Sequence, residues 1–208
     1  MSRGAERALP GVALACAISF ALLAIWARLT AVGAWELELL GTLALGDDAF
    51  STIVRAIDLL GELWLWAVIV LLLVTLLVGL NRRREAGFVA LTLLADLGAF
   101  VVKLLVERAR PEGVLVEHVL GGETFAFPSG HVVRATALVA ALVWISTPPR
   151  WRLPGALAGG LIAGLVMGYG RVALGVHWPT DVHGGLLFGL AWFALTAWLL
   201  WRPYRSTA

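Results

Sequence analysis

Charge is scarce in this sequence. Only 14% of its 208 residues are Asp, Glu, Lys or Arg, while 60% are hydrophobic. A soluble domain carries about 25% charged residues, so this chain lacks the polar surface to coat itself in water. Cysteine is scarcer still. Cys16 stands alone, which excludes an intrachain disulfide framework and a cysteine metal cluster. Lysine is equally rare: of 16 basic residues, all but Lys103 are arginines. There is no internal repeat, no low-complexity segment and no room for a second domain, so residues 1–208 read as one domain. The formal charge of +2 says little by itself, and nothing in it suggests nucleic acid.

What the sequence has is long apolar runs. A bilayer-spanning helix needs about 20 such residues, and the pattern predicts an all-α membrane bundle of six spans near residues 9–30, 63–80, 86–106, 131–147, 153–169 and 182–201. The start, with Arg3 and Arg7 before an apolar stretch and "ALAC" at Cys16, has features of a secretory signal. The run continues well past Cys16, which favours a first spanning helix. Between the first two spans, Phe50, Ile53, Val54, Ile57 and Leu60 recur at helical spacing, with Arg55 and Asp58 off the stripe. This predicts a short helix, lying either in the membrane interface or as a cap over the bundle.

With six spans, Arg3, Arg7, Arg82, Arg83, Arg84, Arg150, Arg152, Arg202 and Arg205 share one face. Glu36, Glu38, Asp47, Asp48, Asp58, Glu62, Glu107, Glu112, Glu117, Glu123 and Asp181 share the other. Arginine-rich short loops stay cytoplasmic. Both termini are therefore expected on the cytoplasmic side of a bacterial-type inner membrane. Trp35, Trp64, Trp144, Trp151, Trp178 and Trp201 fall near span ends, as interfacial belts do.

The same parity brings three polar clusters to the face opposite the arginines. In "KLLVERARP", Arg110 follows Lys103 by seven residues, about two turns if the helix continues to Pro111. Lys103 alone could be a snorkelling side chain. Two cations on one stripe in a membrane are costly unless an anion lies between them. In "FPSGH", Ser129 is a good N-cap and Gly130 permits close backbone approach. His131 then stands in a helix's first turn, a natural anion site. In "RVALGVHWPTD", Arg171 adds a cation, Pro179 suits the first helical position, and His177 and Asp181 lie four apart. Such a carboxylate can fix the imidazole tautomer and leave the other nitrogen as a nucleophile. His183 extends this to a metal-like pattern, but no further ligand cluster follows and three cations stand nearby, so no metal is expected.

Taken together, Lys103 to Arg110–Pro111, Pro128–Ser129–Gly130–His131, and Arg171 to His177 to Asp181 resemble the three signature motifs of the type 2 phosphatidic-acid phosphatase superfamily. Its members include undecaprenyl pyrophosphate phosphatases, phosphatidylglycerophosphate phosphatases and, as larger soluble relatives, vanadium haloperoxidases. The resemblance implies cofactor-free, metal-independent phosphoryl transfer. Lys103, Arg110, Arg171, Ser129 and Gly130 would hold the phosphate, His177 would become a phosphohistidine oriented by Asp181, and His131 would protonate the leaving oxygen. The family usually has Ser where this chain has Gly170, which puts one substrate contact in doubt.

The expectation is therefore a lipid phosphatase with its site on the extracytoplasmic side. Its partners are the bilayer and a membrane lipid phosphate, with undecaprenyl pyrophosphate first and phosphatidylglycerophosphate or phosphatidate next. A transporter, or a catalytically dead lipid-binding relative, is the rival from another class. Asp96 could relay charge to Lys103, but hydrogen bonding within the bundle is the plainer reading. Arg134 could reach a second phosphate, but pairing with an acid is plainer. His118 and Glu123 fall in the loop before "PSGH" and are given no role.

Overall fold

The structure is a computed structural model that describes residues 3–46, 49–111 and 125–201. Its helices are α1 (Arg3–Leu29), α2 (Ala34–Leu43), α3 (Ala49–Leu59), α4 (Leu63–Gly79), α5 (Arg83–Ala90), α6 (Thr92–Val106), α7 (Gly130–Ser146), α8 (Arg152–Ala173) and α9 (Pro179–Trp201). Among the described residues there is no strand, only an isolated bridge between Ala109 and Phe125. His118, Glu123, Glu112, Glu117, Asp47, Asp48, Arg202 and Arg205 lie outside the described residues.

Four stretches are long and apolar enough to cross a bilayer: Arg7–Leu29, Arg83–Val106, Arg152–Ala173 and Pro179–Trp201. The pair α3 and α4 passes the same test together, bent by 59°, as a fifth. With 17 residues, α7 is about 25 Å long, shorter than the ~30 Å hydrocarbon layer. It is the enclosed helix of the bundle, with eleven residues from Gly130 to Trp144 buried.

The tight packing around α7 follows from its small side chains and from glycines on its neighbours. A Cβ on Gly189 of α9 would stand 2.7 Å from Thr136 Cβ, and one on Gly164 of α8 would collide with Thr136 Oγ1. Bare backbone on both sides lets α8 and α9 close on α7, the small-residue contact that membrane helices favour. Nearer the site, a Cβ on Gly185 would stand 2.9 Å from the Ser129 carbonyl oxygen. The start of α7 and the first turns of α9 are thus held in backbone contact.

At the other end of the bundle, Leu9, Phe88, Trp144, Ala156, Phe193 and Trp201 form one buried cluster. Arg82 Nη2 donates to the Ile145 carbonyl at 3.2 Å, and the Arg84 guanidinium lies 4.7 Å from the Trp201 ring centre. The arginine loops and the polar clusters therefore occupy opposite ends.

Three sequence expectations need refinement. The 86–106 span is present as Arg83–Val106, but it is interrupted at Leu91 between α5 and α6, and the Leu91 carbonyl accepts the Trp192 indole N–H at 2.9 Å. The segment before α3 contains a further helix, α2, which periodicity did not reveal. Of the six tryptophans assigned to interfacial belts, Trp35, Trp64 and Trp151 are exposed, but Trp144, Trp178 and Trp201 are buried. Trp144 and Trp201 pack edge-to-face in the core, and Trp178 Nε1 donates to the Ala109 carbonyl at 2.9 Å.

Candidate active site

Four helix ends meet at the site: the C-termini of α6 and α8 and the N-termini of α7 and α9. A backbone bond joins two of them, Ser129 N–H to the Asp181 carbonyl at 3.0 Å. His177 sits in the short turn before α9 and is 1% exposed. Its Nδ1 lies 3.3 Å from Asp181 Oδ2. That carboxylate also accepts the Trp178 N–H at 2.8 Å, and its other oxygen accepts Arg108 Nη1 at 2.8 Å. An ionised carboxylate can only accept. The His177 proton therefore belongs on Nδ1 and the free lone pair on Nε2, beside Arg110 Nη1 at 3.5 Å.

The electrostatics keep that lone pair available. Burial first, and then the positive charges of Arg110, Arg171 and Lys103, hold the His177 imidazole well below its ordinary 6.5. At pH 6 an unperturbed histidine is roughly three-quarters protonated. Ring 15N shifts of the labelled protein are expected to show His177 still neutral there. A titration midpoint near 6.5 would contradict the burial and charge argument.

His131 opens α7 on the other side of the site. Arg134 Nη2 lies 3.2 Å from its Nδ1. Arginine can only donate, so Nδ1 is read as the acceptor, and the Asp58 and Glu62 carboxylates near Nε2 favour the ring proton there. Arg171 Nη1 stands 3.4 Å from that Nε2, so two donors face one another and call for an acceptor between them. Asp58 partly meets this need. Its two oxygens accept Arg171 Nη1 at 2.9 and 2.7 Å, and Oδ1 lies 3.9 Å from His131 Nε2. Glu62 Oε1 is 3.5 Å from the same nitrogen.

Lys103 is buried, with Nζ donating to the Phe125 carbonyl at 2.9 Å. Arg110 also donates to the Val176 carbonyl at 3.0 Å. The structure thus brings Lys103, Arg110, Ser129, Gly130, His131, Arg171, His177 and Asp181 to one end of the bundle.

The route differs from expectation in two places. The helix does not continue from Lys103 to Arg110. It ends at Val106, and Glu107 adopts the left-handed conformation (φ 51°, ψ 32°) as its C-cap. Residues 108–110 lie outside any helix, with Ala109 bridged to Phe125, so Arg110 arrives by the loop and not along a helical stripe. Ser129 occupies the N-cap of α7, but its hydroxyl makes no capping bond. Its Oγ is buried without a hydrogen-bond partner, as is Arg171 Nε. Six buried side-chain polar atoms lack a partner among the described residues, and these two lie together at the site, where a polar ligand would satisfy both.

Asp96 pairs with Arg134, which also donates from Nε to the Gly61 carbonyl at 2.8 Å. A Cβ on Gly61 would collide with the His131 ring, so only glycine lets the α3–α4 elbow lie over that imidazole. A Cβ on Gly170 would come within 3.3 Å of Val54 Cγ1, so a bare position there brings α3 close to α8. His183 is exposed, its Nδ1 bonded to the Pro179 carbonyl at 2.8 Å, and it takes no part in a ligand cluster. Among the described residues, Asp58, Glu62 and His131 bring potential metal-ligand atoms within 4.8 Å of one another. Arg171 already neutralises Asp58, and Arg134 flanks His131, so this trio is a poor cation cage.

Sequence reasoning missed Arg108, Glu36 and Thr180. Arg108 Nη2 meets Glu36 Oε2 at 2.7 Å while Nη1 meets Asp181 and the Thr180 hydroxyl. Thr180 Oγ1 donates to Glu36 Oε1 at 2.6 Å. The one available signal was "GAWE", in which Glu36 at the third helical position accepts the Gly33 N–H at 3.3 Å.

Residues 84–205 match the PAP2 superfamily. The chain is 38% identical over 103 residues to phosphatidylglycerophosphatase B of Bacillus subtilis (strain 168), covering 46% of this chain and 47% of that protein. It is 35% identical over 65 residues to the undecaprenyl-diphosphatase of Sulfolobus acidocaldarius, covering 31% of this chain and 29% of that one. It is 35% identical over 107 residues to the lipid A 1-phosphatase of Rhizobium johnstonii, covering 47% and 39%. Each match spans less than half the length of the curated relative. The fold is shared with the crystal structure of a transmembrane PAP2 type phosphatidylglycerolphosphate phosphatase from Bacillus subtilis. The TM-score is 0.75 at 23% identity, over 93% of this chain and 98% of that one.

Proposed function

Because the chain belongs to the PAP2 superfamily, we propose that it is a membrane lipid phosphatase working through a phosphohistidine without a metal. The observation that carries this reading is a pair of buried imidazoles in a ring of cations, whose neighbours favour complementary tautomers. His177 offers a lone pair on Nε2 beside Arg110, and His131 offers a proton on Nε2 beside Arg171. With a lipid phosphate bound, Nε2 of His177 forms a bond to phosphorus as the bond to the lipid oxygen breaks. That oxygen takes the Nε2 proton of His131, which the negative charge of the bound phosphate has first converted to the imidazolium, so that a neutral imidazole is left. Water then attacks phosphorus, gives its proton to His131 and releases inorganic phosphate. Lys103, Arg110, Arg171, the Ser129 hydroxyl and the Gly130 N–H hold the phosphate oxygens and stabilise the charge spread over them.

Phosphate must displace Asp58 from Arg171. The carboxylates of Asp58 and Glu62 then remain on the side of His131, where the leaving group departs. An alcohol leaving group tolerates those charges, whereas one ending in a second phosphate is repelled. This supports a lipid phosphate monoester, the chemistry in the name of the Bacillus relative, as the first reading. A polyprenyl diphosphate, expected from sequence and named for the Sulfolobus relative, comes second. The double variant Asp58→Asn/Glu62→Gln should raise kcat/KM for diphosphate relative to monoester about tenfold, the scale of two partly screened charges. An unchanged ratio would remove these residues from substrate choice.

The arginine loops lie at the end away from the site, which supports cytoplasmic termini and an extracytoplasmic site in a bacterial-type inner membrane. Six crossings with α3 in the interface complete the proposed topology, and residues 1–208 act as one domain. The direct test is phosphate release by detergent-purified protein from phosphatidylglycerophosphate, phosphatidate and undecaprenyl diphosphate, with chelator throughout. Turnover is expected without metal and fastest on a monoester. Activity that appears only on adding a divalent cation would overturn the reading.

A further inference from the structure

The buried charge network that sequence reasoning missed runs from α2 to the start of α9, with both terminal nitrogens of Arg108 paired and its Nε without a partner. Glu36 is 0% exposed although it comes from α2, far from the motifs in sequence. Its Oε2 accepts Arg108 Nη2 at 2.7 Å, and its Oε1 accepts the Thr180 hydroxyl at 2.6 Å and the Thr180 N–H at 3.3 Å. Arg108, 6% exposed, reaches Asp181 Oδ1 at 2.8 Å with its other terminal nitrogen. Asp181, 0% exposed, then holds His177.

The charges alternate along this line: Glu36 negative, Arg108 positive, Asp181 negative, imidazole last. Sequestering three charges from water is expensive. A buried arginine paired with Asp181 alone would cancel the carboxylate's field on the imidazole. Glu36 balances Arg108 from the far side, so Asp181 keeps its negative charge for His177. Thr180 ties Glu36 to the residue next to Asp181 and fixes the register of the turn.

We infer that Glu36 and Arg108 are positioning residues for phosphoryl transfer, acting through Asp181 to fix the His177 tautomer and sustain its nucleophilicity. Neither touches the phosphate site. The inference rests on the phosphatase reading above and adds to it that the α2 helix is coupled to chemistry at the start of α9.

The test uses the full-length protein and three variants, each normalised to its monodisperse folded fraction. Glu36→Gln keeps the shape and removes the charge. It is expected to lower kcat about 10–100-fold, as outer partners of metal-bound imidazoles do, with KM within threefold of wild type. Formation of acid-labile phosphoenzyme should slow by the same factor. Arg108→Lys should retain at least tenfold more kcat than Arg108→Met. Ring 15N spectra add a readout independent of turnover: wild type should show a proton on His177 Nδ1, and Arg108→Met a growing share on Nε2.

Wild-type kcat in Glu36→Gln, a loss that tracks the folded fraction alone, or a raised KM at constant kcat would each overturn the inference. So would an unchanged His177 tautomer in Arg108→Met. A wild-type protein that releases phosphate from none of the lipids tested would instead sink the phosphatase reading. The tautomer spectra would still decide whether the network orients the imidazole.

Discussion

Replacing His177 by alanine is expected to lower kcat by about 10⁴-fold or more, the cost typical of losing a covalent nucleophile. The substitution removes the Nε2 lone pair that the Asp181 hold on Nδ1 leaves on the site side of the ring, beside Arg110. His131 cannot replace it, because Arg134 occupies its Nδ1 and its Nε2 bears the proton. The cationic cage survives, so KM for a lipid phosphate should change by less than about fivefold. A residual rate of some 10³-fold over water is expected from binding and charge stabilisation alone. Phosphate release from detergent-solubilised variant, with chelator present, measures this. Loss of less than tenfold would show that phosphorus is attacked by something else.

Asp181→Asn is expected to cost about 10³–10⁴-fold in kcat, as in other oriented-imidazole systems. The local hydrogen bonds show why so small a change is costly. Oδ2 accepts both the Trp178 N–H and the His177 Nδ1 proton, and Oδ1 accepts Arg108. An asparagine must turn its NH₂ toward one set of donors. Facing His177, it donates to Nδ1, pushes the proton to Nε2 and abolishes the nucleophile. Facing Arg108, it keeps the tautomer but sets an NH₂ against the guanidinium, which is left with Glu36 alone as its counter-charge, and removes the negative charge beside His177. Both orientations fail, by different routes. A kcat within tenfold of wild type, measured on the same lipid, would mean that Asp181 serves packing more than chemistry.

The chemistry-bearing residues were legible because they are few and chemically expensive in an apolar chain. Lys103, Arg110, His131, Arg171, His177 and Asp181 had no obvious reason to sit near helix ends except a shared anion, and the structure brings them together. The long apolar helices were legible for the same reason. What sequence hid depends on single backbone torsions and on pairings between distant segments. One left-handed residue, Glu107, ends α6 four residues before Pro111. Arg108 thereby becomes a buried bridge where a continuing helix would have carried it past. Glu36 looked like one of many loop acids until Arg108 and Thr180, 72 and 144 residues away, enclosed it. Asp58 reads as the polar face of a surface helix, and its pairing with Arg171, 113 residues away, has no signal in the sequence. Nor could spacing sort tryptophans that face lipid from those that fill the core, since Trp serves both.

The central idea is that one imidazole takes the phosphoryl group while a second, oppositely protonated one serves the leaving oxygen. Rapid acid-free quenching of wild-type protein turning over a lipid labelled in its phosphate, followed by digestion and mass spectrometry, tests this most directly. The phosphoryl group should be found on His177, acid-labile and stable in base, forming and decaying at rates compatible with turnover. Phosphate recovered on another residue, or turnover with no phosphorylated protein at any quench time, would contradict the account.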